Sequence, residues 1–149
     1  RKGGVLTLVR NNITTCQFEE YMEGAEYQML HLRTASTEFH LINYYCPSDR
    51  PLALVTIPTK ERLIVCGDFN SHSQSWGYDH MDSRGEELEN WQDDNKLILV
   101  NQPKDQPTFY SRSWHTTSTP DLAFHSSDLE WNITRVVGKQ LGGSDHRPV

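Results

Sequence analysis

The chain has 149 residues and a formal charge of −6, which argues against a generic nucleic-acid-coating protein with its basic excess. No apolar run is long enough to span a membrane, and the length suits one domain with a real core, read here as a single unit over residues 1–149. Its three cysteines, Cys16, Cys46 and Cys66, include no Cys-x-x-Cys pair, so free thiols in a reducing, nuclear or cytoplasmic compartment are expected.

Residues 5–10 predict a first strand, punctuated by Asn11-Asn12. Residues 27–33 and 39–45 predict an antiparallel hairpin around a polar turn at 35–38. The proline-bounded stretch 51–58 predicts one or two helical turns. Leu63-Ile64-Val65-Cys66 then runs straight into Gly67-Asp68-Phe69-Asn70, and a continuous apolar run ended by glycine predicts a buried strand. Residues 71–83 form a polar loop around Trp76-Gly77. Ser83 is the expected N-cap of the clearest helix, with Glu86 three residues on in a capping-box pattern. Further strands are predicted at 97–100, 108–110, 119–124 and 131–137, with a polar, basic and aromatic loop over 111–118. About eight strands to one good helix point to an α+β sandwich.

Asp68 and Asn70 sit two apart, so in extended geometry they point the same way. Asp68, Asp121 and Asp145 each lie at a strand end beside Gly, Pro or Ser. Converging carboxylates raise one another's pKa unless a cation neutralises them, and oxygen ligands of this kind suit Mg²⁺. His146 could stabilise a phosphate while a carboxylate such as Asp121 holds its tautomer. Those parts suffice for metal-assisted phosphodiester hydrolysis. The plain alternative for each acid is a turn former or a cap. Other chemistries fit less well. Ser144-Asp145-His146 lacks a Gly-x-Ser-x-Gly elbow, and no HExxH, Walker or GxGxxG motif occurs. His72, Asp79 and His80 are zinc-ligand types at a spacing that matches no standard pattern.

Gly67-Asp68-Phe69-Asn70, Tyr45-x-Pro47, Pro120-Asp121 and the terminal Ser144-Asp145-His146-Arg147-Pro148-Val149, in this order, resemble the endonuclease/exonuclease/phosphatase superfamily. Trp76-Gly77, Arg84-Gly85 and Pro107-Thr108-Phe109 are most similar to the endonuclease domain of non-LTR retrotransposons of Jockey or R1 type. The resemblance implies two packed, mainly antiparallel sheets flanked by helices, a four-layer DNase I-like α/β sandwich. It implies an attacking water handled by Asp68, with Asn70 positioning it and the phosphate. Tyr45 would place its hydroxyl on the phosphate, Asp145 would help bind Mg²⁺ (or Mn²⁺), and His146, oriented by Asp121, would stabilise the pentacovalent phosphate. Thr108 would touch phosphate, Ser144 would support its motif, and Arg112 and Trp114 would reach the DNA from the 111–118 loop. The implied partners are target DNA and the reverse transcriptase domain of the same polyprotein, with no membrane. The family's early Asn and metal-binding Glu precede the segment that matches Gly4-Val5. The 149-residue chain is therefore expected to lack the first strands and the last, and to bind Mg²⁺ and nick DNA weakly. A phosphatase of the same superfamily and a non-catalytic relic are the alternatives.

Overall fold

In the computed structural model, which describes residues 4–18, 24–57, 62–129, 133–139 and 142–149, apolar and half-exposed residues alternate through three neighbouring strands. The elements run β1 (Thr14–Phe18), β2 (Glu26–Arg33), β3 (Glu38–Tyr45), β4 (Leu63–Asp68), α1 (Ser83–Asp94), β5 (Leu97–Leu99), β6 (Phe109–Ser111), β7 (Thr116–Ser118) and β8 (Asp121–Ser126), with a 3₁₀ turn at Gln74–Trp76 before the helix. Six strands form one sheet in the order β1-β2-β3-β4-β8-β5, and β6 and β7 form a separate two-stranded ribbon. Only β3 and β4 pair in parallel in the large sheet; its other described neighbours are antiparallel. The chain is thus a sheet-rich α+β unit.

Ile42 and Tyr44 on β3, Leu63 and Val65 on β4, and Leu122 and Phe124 on β8 alternate onto one face and are buried with Leu88 of α1. Burying each such side chain contributes about 1.5–3 kcal/mol. Tyr44 stacks on Phe69 with centroids 4.5 Å apart, and Trp91 of α1 meets Phe124 edge-on at 6.0 Å. The helix is thereby fixed over the centre of the sheet.

Several expectations are corrected. Residues 5–10 are not a strand. They are held by side chains instead: the Thr7 hydroxyl donates to Gln28 Oε1 (2.9 Å), and Asn43 Nδ2 donates to the Leu6 carbonyl (3.2 Å) and to Thr7 Oγ1 (3.1 Å). Residues 51–57 contain no helical turn. They form a strap without regular structure whose carbonyls serve the core: Ala53 O accepts from the Tyr44 hydroxyl (2.7 Å) and Val55 O from the Trp91 indole (3.0 Å). The helix cap is Asp82, not Ser83; its carboxylate accepts from Gly85 N at 2.7 Å. A Cβ at Gly85 would stand 1.9 Å from the His72 carbonyl oxygen, so the first turn of α1 sits directly on the preceding loop. The 111–118 loop is shorter than expected because β6 and β7 zip into it, pairing Ser111 with Thr116. Pro120 has no N–H to donate, and β8 begins only after it. Residues 133–137 form no strand, while Trp131 and Asn132 of that expected element lie outside the described residues.

Candidate active site

The register of β3, β4 and β8 builds the first part of the site. Tyr45 pairs with Asp68, and Asp68 pairs with Asp121. Residues opposite each other across strands project from the same face. A phenol and two carboxylates therefore stand in one row at the sheet rim, on the face opposite Tyr44 and Leu122. Gly67 precedes Asp68 with φ +154, and a Cβ there would lie 1.9 Å from the Tyr44 carbonyl oxygen. Glycine is what lets β4 press close enough to β3 to bring Asp68 beside Tyr45.

The turn after β4 is fixed by backbone contacts. Asn70 adopts φ +47, in the left-handed region that asparagine tolerates better than most residues. Its N–H donates to Asp68 Oδ1 (3.1 Å), and its Nδ2 donates to the Cys46 carbonyl at the end of β3 (3.2 Å). Arg84, in the first turn of α1, clamps both strand ends. Its guanidinium donates to the carbonyls of Asn70 (2.8 Å), Phe69 (2.6 Å), Cys46 (3.3 Å) and Arg50 (2.5 Å). Nothing in the local pattern marks Arg84 for this work beyond its place before Gly85.

The C-terminal segment supplies the third part. His146 bridges Phe109 in antiparallel fashion, Tyr110 N donates to Asp145 O (2.9 Å), and Arg147 N donates to Thr108 O (2.7 Å). This pairing carries the imidazole to the rim, where His146 Nδ1 lies 3.0 Å from Asp121 Oδ2. Ligand atoms of Asp68, Asp121 and His146 all fall within 4.8 Å of one another.

Electrostatics follow from that crowding. Burial first, and the Asp121 carboxylate second, push the Asp68 carboxyl up to about 6, against the lowering influence of His146 and of the Asn70 hydrogen bonds. The hydrogen bond that His146 donates to Asp121 holds its imidazole above the ordinary value, and the charges of Asp121, Asp68 and Asp145 add to it, while burial opposes them. Burial and then the Asp68 charge raise the Tyr45 phenol. Two half-buried carboxylates side by side, one of them raised by burial first and by its neighbour's charge second, fit a hard divalent cation, which takes one or two carboxylates and completes its shell with water and phosphate oxygens. Asp68 and Asp121 are the residues that would hold it.

The other expected site residues fall elsewhere. Asp145 is exposed and lies outside this cluster. Alternation along the bridged segment is the reason: when His146 faces the site, its neighbour faces solvent. Thr108 is fully buried at 0% exposure, and its hydroxyl has no hydrogen-bond partner, so it reaches no bulk phosphate in this conformation. Ser144 is exposed, and its Oγ accepts from His146 N (3.1 Å), which ties off the motif from behind. Arg112 and Trp114 sit at the tip of the β6–β7 hairpin. Arg112 donates to the Gly143 carbonyl at 2.6 Å, just before the Ser144-Asp145-His146 segment, whereas Trp114 is 80% exposed. Tyr78 was not anticipated. Its hydroxyl accepts from Thr119 N (3.2 Å), and burial, with smaller contributions from Asp68 and Asp121, raises its phenol.

The sequence profile of a family described as Endonuclease-reverse transcriptase matches residues 39–149. Among solved structures, the "Endonuclease domain of TRAS1, a telomere-specific non-LTR retrotransposon" superposes with a TM-score of 0.76 at 26% identity, covering 91% of this chain and 64% of that one. This chain thus spans just under two thirds of the length of that domain. The likeness assigns its sheets to the DNase I-like endonuclease fold. No curated protein matches.

Proposed function

Because the chain belongs to the endonuclease-reverse transcriptase family, within the endonuclease/exonuclease/phosphatase superfamily, we propose that it hydrolyses phosphodiester bonds of DNA with a divalent metal, as the nicking domain of a retrotransposon polyprotein. The observation that carries this reading is the convergence of Asp68, Asp121 and His146 within 4.8 Å at one rim of the sheet.

Each residue has a defined task in that reading. Asp68, at the rim beside Asp121, would hold and activate the attacking water next to the cation. Oxygen from that water bonds to phosphorus as the P–O3′ bond breaks, leaving a 3′-hydroxyl and a 5′-phosphate. Asp68 and Asp121 would hold a divalent ion such as Mg²⁺, which would supply neutralisation of negative charge developing during the displacement. His146, oriented by Asp121, which also raises its pKa, lies where it can donate to a non-bridging oxygen of the crowded phosphorus. Tyr45 presents a hydroxyl from the neighbouring strand, and Asn70, anchored to Cys46, holds the rim rigid. The 3′-hydroxyl is the end a reverse transcriptase in the same polyprotein would extend.

Supercoiled plasmid is the direct substrate for a test. The chain should convert it slowly to the open-circular form with Mg²⁺ and not with EDTA, and the nick should be extendable by a polymerase. Asp121→Asn should slow nicking by about 10²–10⁴-fold. Hydrolysis of inositol phosphates without plasmid nicking would replace this reading with a phosphatase. Nicking at an undiminished rate in Asp121→Asn, or in EDTA, would overturn it.

A further inference from the structure

β5 ends at Leu99, which pairs with Phe124, so Asp121 lies beyond the last pair. On that side of β8 no described strand supports the residue that orients His146. Two buried side chains converge there instead. We propose that Asn101 and Arg135 are positioning residues for the reaction: they stand in for the missing strand beside Asp121 and fix the direction in which its carboxylate meets His146. The inference rests on the reading that Asp121 and His146 work together on a phosphodiester.

The Asn101 carboxamide is buried and behaves as an extra peptide group. Val100 N donates to Ala123 O (2.9 Å), and from there the ladder passes to a side chain. Ala123 N donates to Asn101 Oδ1 (2.9 Å), and Asn101 Nδ2 donates to Asp121 O (3.1 Å). Arg135 Nη2 donates to the same carbonyl at 3.3 Å, so both lone pairs of Asp121 O are used. Its Nη1 lies 3.1 Å from Asp105 Oδ2, which also accepts from Gln102 N (2.9 Å). The guanidinium thus ties the turn at residues 102–105 to the entry of β8. On the other edge, Phe69 N donates to Pro120 O (3.0 Å). With the backbone gripped from both sides, the Cα–Cβ direction of Asp121 is set, and that direction decides where Oδ2 stands against His146 Nδ1. Stability alone explains Arg135 poorly. Its side chain is 3% exposed, and Nε has no partner among the described residues. Apolar residues of similar volume often serve a fold as well as a buried ion pair does.

Nitrogen NMR of the His146 ring in metal-free protein tests the role without a cleavage assay. In the neutral ring of the unaltered chain the proton should sit on Nδ1, facing Asp121. Asn101→Leu should move it toward Nε2. So should Arg135→Met combined with Asp105→Asn, which leaves no buried charge alone. Asn101→Leu alters no charge, so its effect reports geometry. In both variants kcat for plasmid nicking should fall by up to about 100-fold with KM nearly unchanged. In the unaltered chain the Ala123 N–H should exchange with deuterium about 100-fold more slowly than an exposed amide, which checks the side-chain ladder without any variant. Fast exchange, or folded variants that keep the Nδ1 tautomer or the full kcat, overturn the proposal. If the unaltered chain nicks nothing, the reading of its function fails, while tautomer and exchange still decide what Asn101 and Arg135 do.

Discussion

His146 Nδ1 stands 3.0 Å from Asp121 Oδ2, across a sequence separation of 25 residues, and this pair joins the sheet rim to the C-terminal segment. The ring is held because β6 and the residue before it bind the backbone on either side: Tyr110 N donates to Asp145 O, and Arg147 N donates to Thr108 O. Asp121→Asn should lower the His146 pKa, since the hydrogen bond to Asp121 is the largest cause of its elevation. Titration of the ring by NMR measures that directly. Activity at neutral pH should fall about 10²–10⁴-fold, the range for loss of a positioned proton donor.

Asp68 gives a stability prediction with a definite sign. Burial pushes the folded carboxyl up to about 6, whereas the unfolded chain releases its proton near the ordinary value of 3.8. Between those values the folded state binds more protons, so its stability falls as pH rises through the window and stays lower above it. Asp68→Asn removes that burden. In metal-free protein it should stabilise the fold by about 1–3 kcal/mol at pH 8 and by close to nothing below pH 4. Denaturant melts at the two pH values check it, and equal effects at both would refute it.

The same proton competes with a cation at the rim. Mg²⁺ should raise the melting temperature at pH 8, and the apparent affinity should drop by up to about tenfold for each pH unit below 6. Thermal melts over a Mg²⁺ series at several pH values give the dependence. A pH-independent shift would mean that Asp68 is not a ligand.

Gly67→Ala should be severe. The added Cβ would meet backbone, the Tyr44 carbonyl at 1.9 Å, and backbone in the middle of a sheet has little room to yield. A loss of about 3 kcal/mol or more is expected, read from chemical denaturation. A loss well under 1 kcal/mol would show that β4 can move away from β3.

Trp114→Ala should leave stability within about 0.5 kcal/mol, because the indole is exposed at the hairpin tip. If the hairpin meets DNA, binding should weaken about tenfold through loss of stacking or groove contact. Fluorescence anisotropy with a labelled duplex separates the two effects. Unaltered affinity would make the hairpin a connector.

Legibility in the sequence followed period and punctuation. Leu63 to Asp68 was readable because an unbroken apolar run ended at a glycine, and the 26–45 hairpin because two alternating runs flanked a polar turn. Residues 5–10 read as strand by the same logic. Their alternation is real, but Thr7 and Leu6 are tethered by side chains from β2 and β3 rather than by a backbone ladder, and a pattern cannot distinguish the two. Ser83 read as the cap from its capping-box spacing to Glu86, yet Asp82 caps the helix one residue earlier. Its carboxylate accepts from both Gly85 N and His72 N, and the second of these contacts exists only in three dimensions. Chemistry suggested that a carboxylate such as Asp121 could hold His146. It could not tell which way Asp145 would point, because this depends on the pairing with Phe109. Arg84 and Tyr78 act on backbone groups distant in sequence, so neither left a local signature.

The row Tyr45, Asp68, Asp121 has a further consequence for how the chain folds. Strand pairing has a side-chain period of two, so sliding β4 by one residue against either neighbour would turn Asp68 toward the apolar face and swing Cys66 and Ile64 with it. The three side chains then could not meet. Any misaligned sheet is chemically silent and also buries a carboxylate among Tyr44, Leu122 and Phe124. The chain therefore penalises wrong alignment with the same residue that defines the right one.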